Sequence, residues 1–331
     1  MKDTDQEEQD LSELLKKLQK ENPNQKVVLK IVPPARVGLI MCLIGGFASM
    51  GIPEIGAFLI AYGVVIAAAN RDEKARAKAA IMALLPILVN LTSVDALVAS
   101  QALVVCMAGF ALSGLVMQDK ASISNELLFS GFISVIMLFF TINYIHQSGS
   151  GVQEFVLSNF DKVSKDMFNS KSVQQEIAIS NAREIYTTYW PLAIWSQAFI
   201  YTVFARWGAT KAAKMLSLKI SRKSFTEYDN PLWLVGLLIV GIVAVKMGVN
   251  APQHSKLIVF IGHNILGVAR ILFAIQGYAI GLNYLKRYPS SIFLTFAYMV
   301  LAISLEANYM IVSIVGLVDV WANFRSLDRQ N

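Results

Sequence analysis

The sequence predicts an all-α fold: a polytopic transmembrane bundle of about 8–10 membrane-crossing or half-crossing helices, with both termini cytoplasmic. Three observations carry this. The 331 residues are 55% hydrophobic with a mean hydropathy of +0.51, and only 16% are charged, against about a quarter in soluble domains. Long apolar runs recur from residue 37 onward between short polar breaks, as a chain must if its backbone is to bond within each helix in lipid. Of the 29 Lys and Arg, 22 fall on segments alternating to one side and 5 to the other, with Lys246 and Arg270 inside spans. That split orients the chain by the positive-inside rule. It also accounts for the pI near 9.2, so nucleic acid is not an expected partner.

The apolar runs give spans at 37–50, 55–69, 79–94, 96–117, 127–145, 186–205, 231–248, 257–285, 290–305 and 308–323. They group into a cytoplasmic N-terminal segment (1–36), a first transmembrane half (37–145), an extracytoplasmic segment (146–185), a second half (186–325) and a cytoplasmic tail (326–331). In the first segment Leu11, Leu14, Leu15 and Leu18 have helical spacing, which suits either an amphipathic helix at the inner surface or a solvated tail. Residues 1–36 hold no apolar core of a secretory signal. The first two spans give only about 21–23 Å of helix against a hydrocarbon core of about 30 Å. Their turn "MGIPEIG", with Glu54, and the later "LTSVDA", with Asp95, would then dip below the outer surface. Either they outline a cavity open to the outside, or the bilayer thins locally. Within 146–184, Val152, Phe155, Val156, Phe160, Val163 and Met167 share one helical face, the pattern of an interfacial helix. Tyr186, Tyr189 and Trp190 mark the outer interface and Trp207 the inner one. Pro191 is expected in the first turn of its span, where proline is tolerated.

Arg270 sits in the middle of the 257–285 span. At 100° per residue His263, Gly267, Arg270, Ala274, Gly277 and Gly281 form one small-or-polar stripe, with Gln276 and Asn283 nearly opposite. Such residues face the bundle interior. Two readings stay open. Arg270 locks helices through carbonyls or a carboxylate, or it lines a polar cavity for a small solute. In the second case the substrate-binding set is Arg270, His263, Glu54, Asp95 and Gln276. Glu306 falls at the outer end of its hairpin, and Asp319, near the inner end of the last span, is expected to pair with Arg325, Lys286 or Arg287. Cys42 and Cys106 read as small apolar residues inside spans. No GxSxG, HExxH or GxxxxGK[ST] occurs, and the three His are far apart. No enzymatic activity, metal, cofactor or ATP-driven step is therefore expected of this chain alone.

Three stretches, "FTEYDNPLWLV" (225–235), "NILGVARILFAIQGYAIGLNYLKR" (264–287) and "VGLVDVWANFRSL" (315–327), together resemble the YybS-like family of uncharacterised bacterial integral membrane proteins. That family is distantly similar to the S-components of energy-coupling-factor transporters. The likeness covers mainly residues 186–327. It carries over Gln276, Gly277, Gly316, Asp319 and Arg325, with Gly277, Asp319 and Arg325 as structural positions. The chain departs from an S-component in its larger number of spans and in its first span, which lacks a small-xxx-small motif; Ala57 and Ala61 in the second come nearest. The resemblance implies a bacterial cytoplasmic (inner) membrane protein, S-component-like, that binds or transports a small solute without being an ATPase. The alternative is a non-catalytic membrane scaffold that docks envelope or other membrane partners. The expected partners are the lipid bilayer, a small-molecule solute, and membrane proteins or a transport ATPase module.

Overall fold

Segments of 12 to 43 residues fold into eleven α-helices among the described residues of the computed structural model. Those residues are 35–69, 73–90, 95–167, 173–218, 225–250, 255–287 and 291–327. In chain order they are α1 (Ala35–Gly51), α2 (Pro53–Ala68), α3 (Glu73–Val89), α4 (Ala96–Met117), α5 (Ile123–Gln147), α6 (Val152–Met167), α7 (Val173–Met215), α8 (Trp233–Asn250), α9 (Ser255–Lys286), α10 (Ile292–Tyr309) and α11 (Ile311–Ala322). A 3₁₀ turn, Phe225–Glu227, precedes α8. No strand occurs among the described residues. The protein is an all-α helical bundle. The N-terminal stretch holding Leu11 to Leu18 lies outside the described residues.

Four helices, α4, α5, α10 and residues 256–286 of α9, are long and apolar enough to cross a membrane; α1, α2, α8 and α11 are apolar but shorter. Helix starts follow local chemistry. The Ser122 and Ser291 hydroxyls accept from the amides of Asn125 and Leu294, and Asp95 accepts from Leu97 N.

The expected 186–205 span lies inside α7, a single helix about 65 Å long, so the drawn boundary at 185 falls within a helix. Its face of Ala198, Tyr201, Ala205, Ala209, Ala212 and Ala213 is buried in the core built with α1 to α5. Further up, Trp195 joins a second core with Leu234, Leu272 and Phe273. On its packed side α7 carries the buried Thr202 and Thr210, while Ile200, Val203 and Trp207 stay exposed.

Pro191 is not in a first turn; it lies well inside α7. Its ring removes one ladder donor, and the Asn264 side chain of α9 enters the break. Asn264 Nδ2 donates to Thr188 O at 2.9 Å, and Asn264 Oδ1 accepts from Leu192 N at 3.0 Å. These are the two groups that an unbroken helix would pair with each other.

Within 146–184, where the sequence predicts a helix, the chain forms α6. Val156 is buried, Phe155 meets Tyr144 with ring centroids 6.1 Å apart, and Phe160 meets Tyr186 at 5.6 Å. Its apolar face therefore turns to α5 and α7. The side chains of Val163 and Met167 lie outside the described residues.

Candidate functional site

Polar groups concentrate at one end of the bundle, the end carrying Lys120, Lys214, Lys286 and Arg287. The segment 225–231 folds back there between α9 and α11 without regular helix, and its Thr226 and Asn230 are buried. Irregular backbone at that depth requires protein partners, and Arg325 and Gln276 supply them. Arg325 NH1 donates to the carbonyls of Thr226 (3.1 Å) and Tyr228 (2.6 Å), while NH2 reaches Asp319 Oδ2 at 2.7 Å and Asp229 Oδ1 at 3.4 Å. The side chains of Arg325 and Asp319 are fully buried. Gln276 accepts from Asn230 N at 3.1 Å and donates to Asp319 Oδ2 at 2.9 Å and Asp229 Oδ1 at 3.2 Å. Asn230 Nδ2 donates in turn to Leu272 O, and Lys286 Nζ to Thr226 Oγ1. One arginine thus holds two carboxylates and a loop backbone together.

Beside this lock lies a cavity of about 940 Å³. Its walls come from the α4–α5 turn, the start of α5, the α7 stretch around Phe199 to Thr210, residues 225–231 and Ile275 of α9. Trp207, Phe204 and Phe225 give an aromatic side; Lys120, Glu126, Arg206, Glu227 and Asp229 give charges of both signs. Arg206 NH1 bonds Glu126 Oε2 at 2.6 Å, with Arg206 a quarter exposed and Glu126 nearly buried. The Tyr228 hydroxyl donates to Asn230 Oδ1 at 2.9 Å. Burial, then the charges of Glu126 and Asp229, push its phenol above the ordinary range against the opposing Arg206, so it stays a neutral donor. Asp229 belongs to both lock and cavity wall.

A family model described as "Predicted membrane protein (DUF2232)" matches residues 39–320. The chain belongs to that family. The match runs from α1 into α11 and takes in every helix that builds the cavity, with Arg325 just beyond it. No curated protein and no solved structure matches the chain.

In this DUF2232 member the five residues expected to bind substrate are dispersed. Asp95 caps α4 and accepts from the Tyr144 hydroxyl at 3.0 Å. Glu54 stands in the first turn of α2, in electrostatic reach of Tyr201, whose hydroxyl accepts from Gln101. The His263 ring lies 6.2 Å from that of Tyr189. Arg270 has its carboxylate in Glu306: Nε donates to Oε1 and NH2 to the Glu306 carbonyl, both at 2.8 Å. Glu306 Oε2 also accepts from Ser313 N, so it caps α11 from α10. None of Glu54, Asp95, His263 and Arg270 lines the large cavity; Gln276 adjoins it through Asp229 and Asn230. Asp319 does meet Arg325, and Gln276 joins them, so residues assigned to separate roles form one network.

Sequence reasoning passed over Glu126, Arg206, Tyr228, Asp229 and Asn230. The pair Arg206–Glu126 leaves no local pattern at a separation of 80 residues. The run "TEYDNP" was the available signal: polar residues of mixed type directly before a proline that opens an apolar span. Among the described residues no three His, Cys, Asp or Glu side chains converge as a metal site requires.

Proposed function

We propose that this membrane-integral protein binds a small solute in the cavity between α5, α7 and residues 225–231, at the cytoplasmic end of a bacterial inner-membrane bundle, without catalysis of its own. The observation that carries this is the cavity itself: about 940 Å³ with aromatic walls and charges of both signs. That volume and the convergence of a few polar groups on an apolar pocket are the marks of a ligand site. The lock at Asp229 supports a coupling of occupancy to α9 and α11, because Asp229 touches both the cavity and Arg325. The likeness of residues 225–235, 264–287 and 315–327 to YybS-like proteins, and through them to S-components, points to a transported solute.

The test is cysteine accessibility combined with thermal stability. Ser124→Cys lines the cavity and is half-buried; a maleimide added from the cytoplasmic face should label it, with Cys42 and Cys106 silent because both are buried. A solute from a metabolite panel should raise the melting temperature of the wild type and not of Asn230→Leu. Absence of labelling together with no stabilising solute would sink the reading.

A further inference from the structure

The cavity is more selective than its volume suggests, and Arg206 is the reason. Arg206 gives one bond to Glu126, and its remaining guanidinium N–H groups make no hydrogen bond among the described residues although the side chain is only a quarter exposed. A guanidinium in that state is a receptor for an oxyanion, and its planar fork suits phosphate. A simple anion would nevertheless meet Glu227 and Asp229 on the same walls. Arg206 touches Glu126 at 2.6 Å, and Glu227 and Asp229 line the same walls, so both signs face one cavity. A ligand carrying an anionic and a cationic group satisfies this arrangement where either charge alone does not.

The third observation is the open side. Val203, Trp207 and Phe225 line the cavity and are 43%, 48% and 48% exposed. They form an apolar flank, and the tryptophan on it is of the type that collects at membrane interfaces. A free amino acid would leave most of a 940 Å³ cavity unfilled. We propose that the occupant is the head group of a zwitterionic phospholipid of the inner leaflet. Its phosphate rests on Arg206, its ammonium turns towards Glu227 and Asp229, and its acyl chains leave past Val203 and Trp207. This rests on the solute-binding reading and narrows the solute to a lipid.

The experiment uses the full chain purified in detergent. Its tryptophan emission is titrated with brominated phosphatidylethanolamine and, separately, with brominated phosphatidylglycerol, which has the phosphate without the ammonium. The difference between wild type and Trp207→Phe isolates the cavity. Phosphatidylethanolamine is expected to quench that difference at about fivefold lower mole fraction than phosphatidylglycerol; Glu227→Gln should erase the preference, and Arg206→Gln should weaken the quenching by both lipids. Val203→Phe, which narrows the flank and leaves the Arg206–Glu126 pair alone, should also weaken the quenching by both lipids, and covers the case of an Arg206 variant that does not fold. Equal quenching by the two lipids in the wild type overturns the proposal. So does protection of Ser124→Cys from maleimide by water-soluble phosphoethanolamine without any lipid preference, and that result leaves the solute reading standing. No labelling of Ser124→Cys and no lipid preference together overturn both.

Discussion

Arg325 and Asp319 are the residues on which the basic end depends. Removing one partner of a fully buried pair leaves the other charge without compensation, at a cost of about 3–5 kcal/mol. Asp319→Asn is therefore expected to lower the thermal unfolding temperature of the detergent-purified protein sharply. Asp319→Leu combined with Arg325→Leu should recover part of that loss, since neither member of the fully buried pair is then stranded and the remaining Asp229 is partly exposed; a double variant no better than the single one would show that the loop carbonyls of Thr226 and Tyr228 are what Arg325 mainly serves. Arg270→Gln should cost less, about 1.5–3 kcal/mol for hydrogen bonds to a charged group, because Arg270 is partly exposed and Glu306 keeps its bond to Ser313. An unchanged melting temperature would make Arg270 dispensable to the hairpin. The sequence showed that Arg270 needs an inward polar partner and that Asp319 has basic residues in reach. It hid Glu306 as that partner because the two spans of the last hairpin read as nearly equal, which put Glu306 at the outer surface. In the structure α11 has only 12 residues, and the turn at Met310 that joins it to α10 comes within reach of Arg270.

Between elements, backbone proximity sets what is tolerated. A Cβ at Gly316 would overlap the Phe273 carbonyl oxygen, and one at Gly277 the Val312 carbonyl oxygen, so α9 and α11 meet backbone to backbone. Gly316→Val should force the two helices apart and lower stability. Gly131→Ala, where nothing lies within 4 Å of the new methyl group, should not. Comparable losses in the two variants would contradict the close crossing. The repair at Pro191 makes a sharper case. Asn264→Leu strands Thr188 O and Leu192 N, at about 1–3 kcal/mol for each unsatisfied group. Adding Pro191→Ala should restore much of the stability, since the α7 ladder can then close on itself. Helix positions were legible from apolar runs and small residues. The repair at Pro191 was not, because Asn264 is 72 residues away from the amide it serves.

For the molecule as a whole, the charge split predicts that Ser217→Cys is labelled only from the cytoplasmic side and Ser158→Cys only from outside; both positions are exposed. Labelling of Ser217→Cys from outside intact cells would reverse the orientation, cavity included. Hydropathy and the charge count made the bundle legible in the sequence, since lipid imposes those patterns on every span. The cavity was not, because its walls come from four separate stretches that only packing brings together.

The order of synthesis gives the lock at Arg325 a consequence of its own. Asp229, Gln276 and Asp319 all leave the ribosome before Arg325 does. Until it emerges, the insertion machinery holds two carboxylates destined for burial with no guanidinium between them, and segment 225–231 has nothing to receive its Thr226 and Tyr228 carbonyls. The helices can enter the membrane in sequence, but the basic end closes only when the chain beyond α11 has been made. A chain stopped after Phe324 keeps every membrane helix and is still expected to be cleared by membrane proteases within a few minutes in a pulse-chase experiment, on the order of the times that chain assembly takes. Equal lifetimes for the two chains would mean that the bundle is complete, for the cell's purposes, before Arg325 arrives.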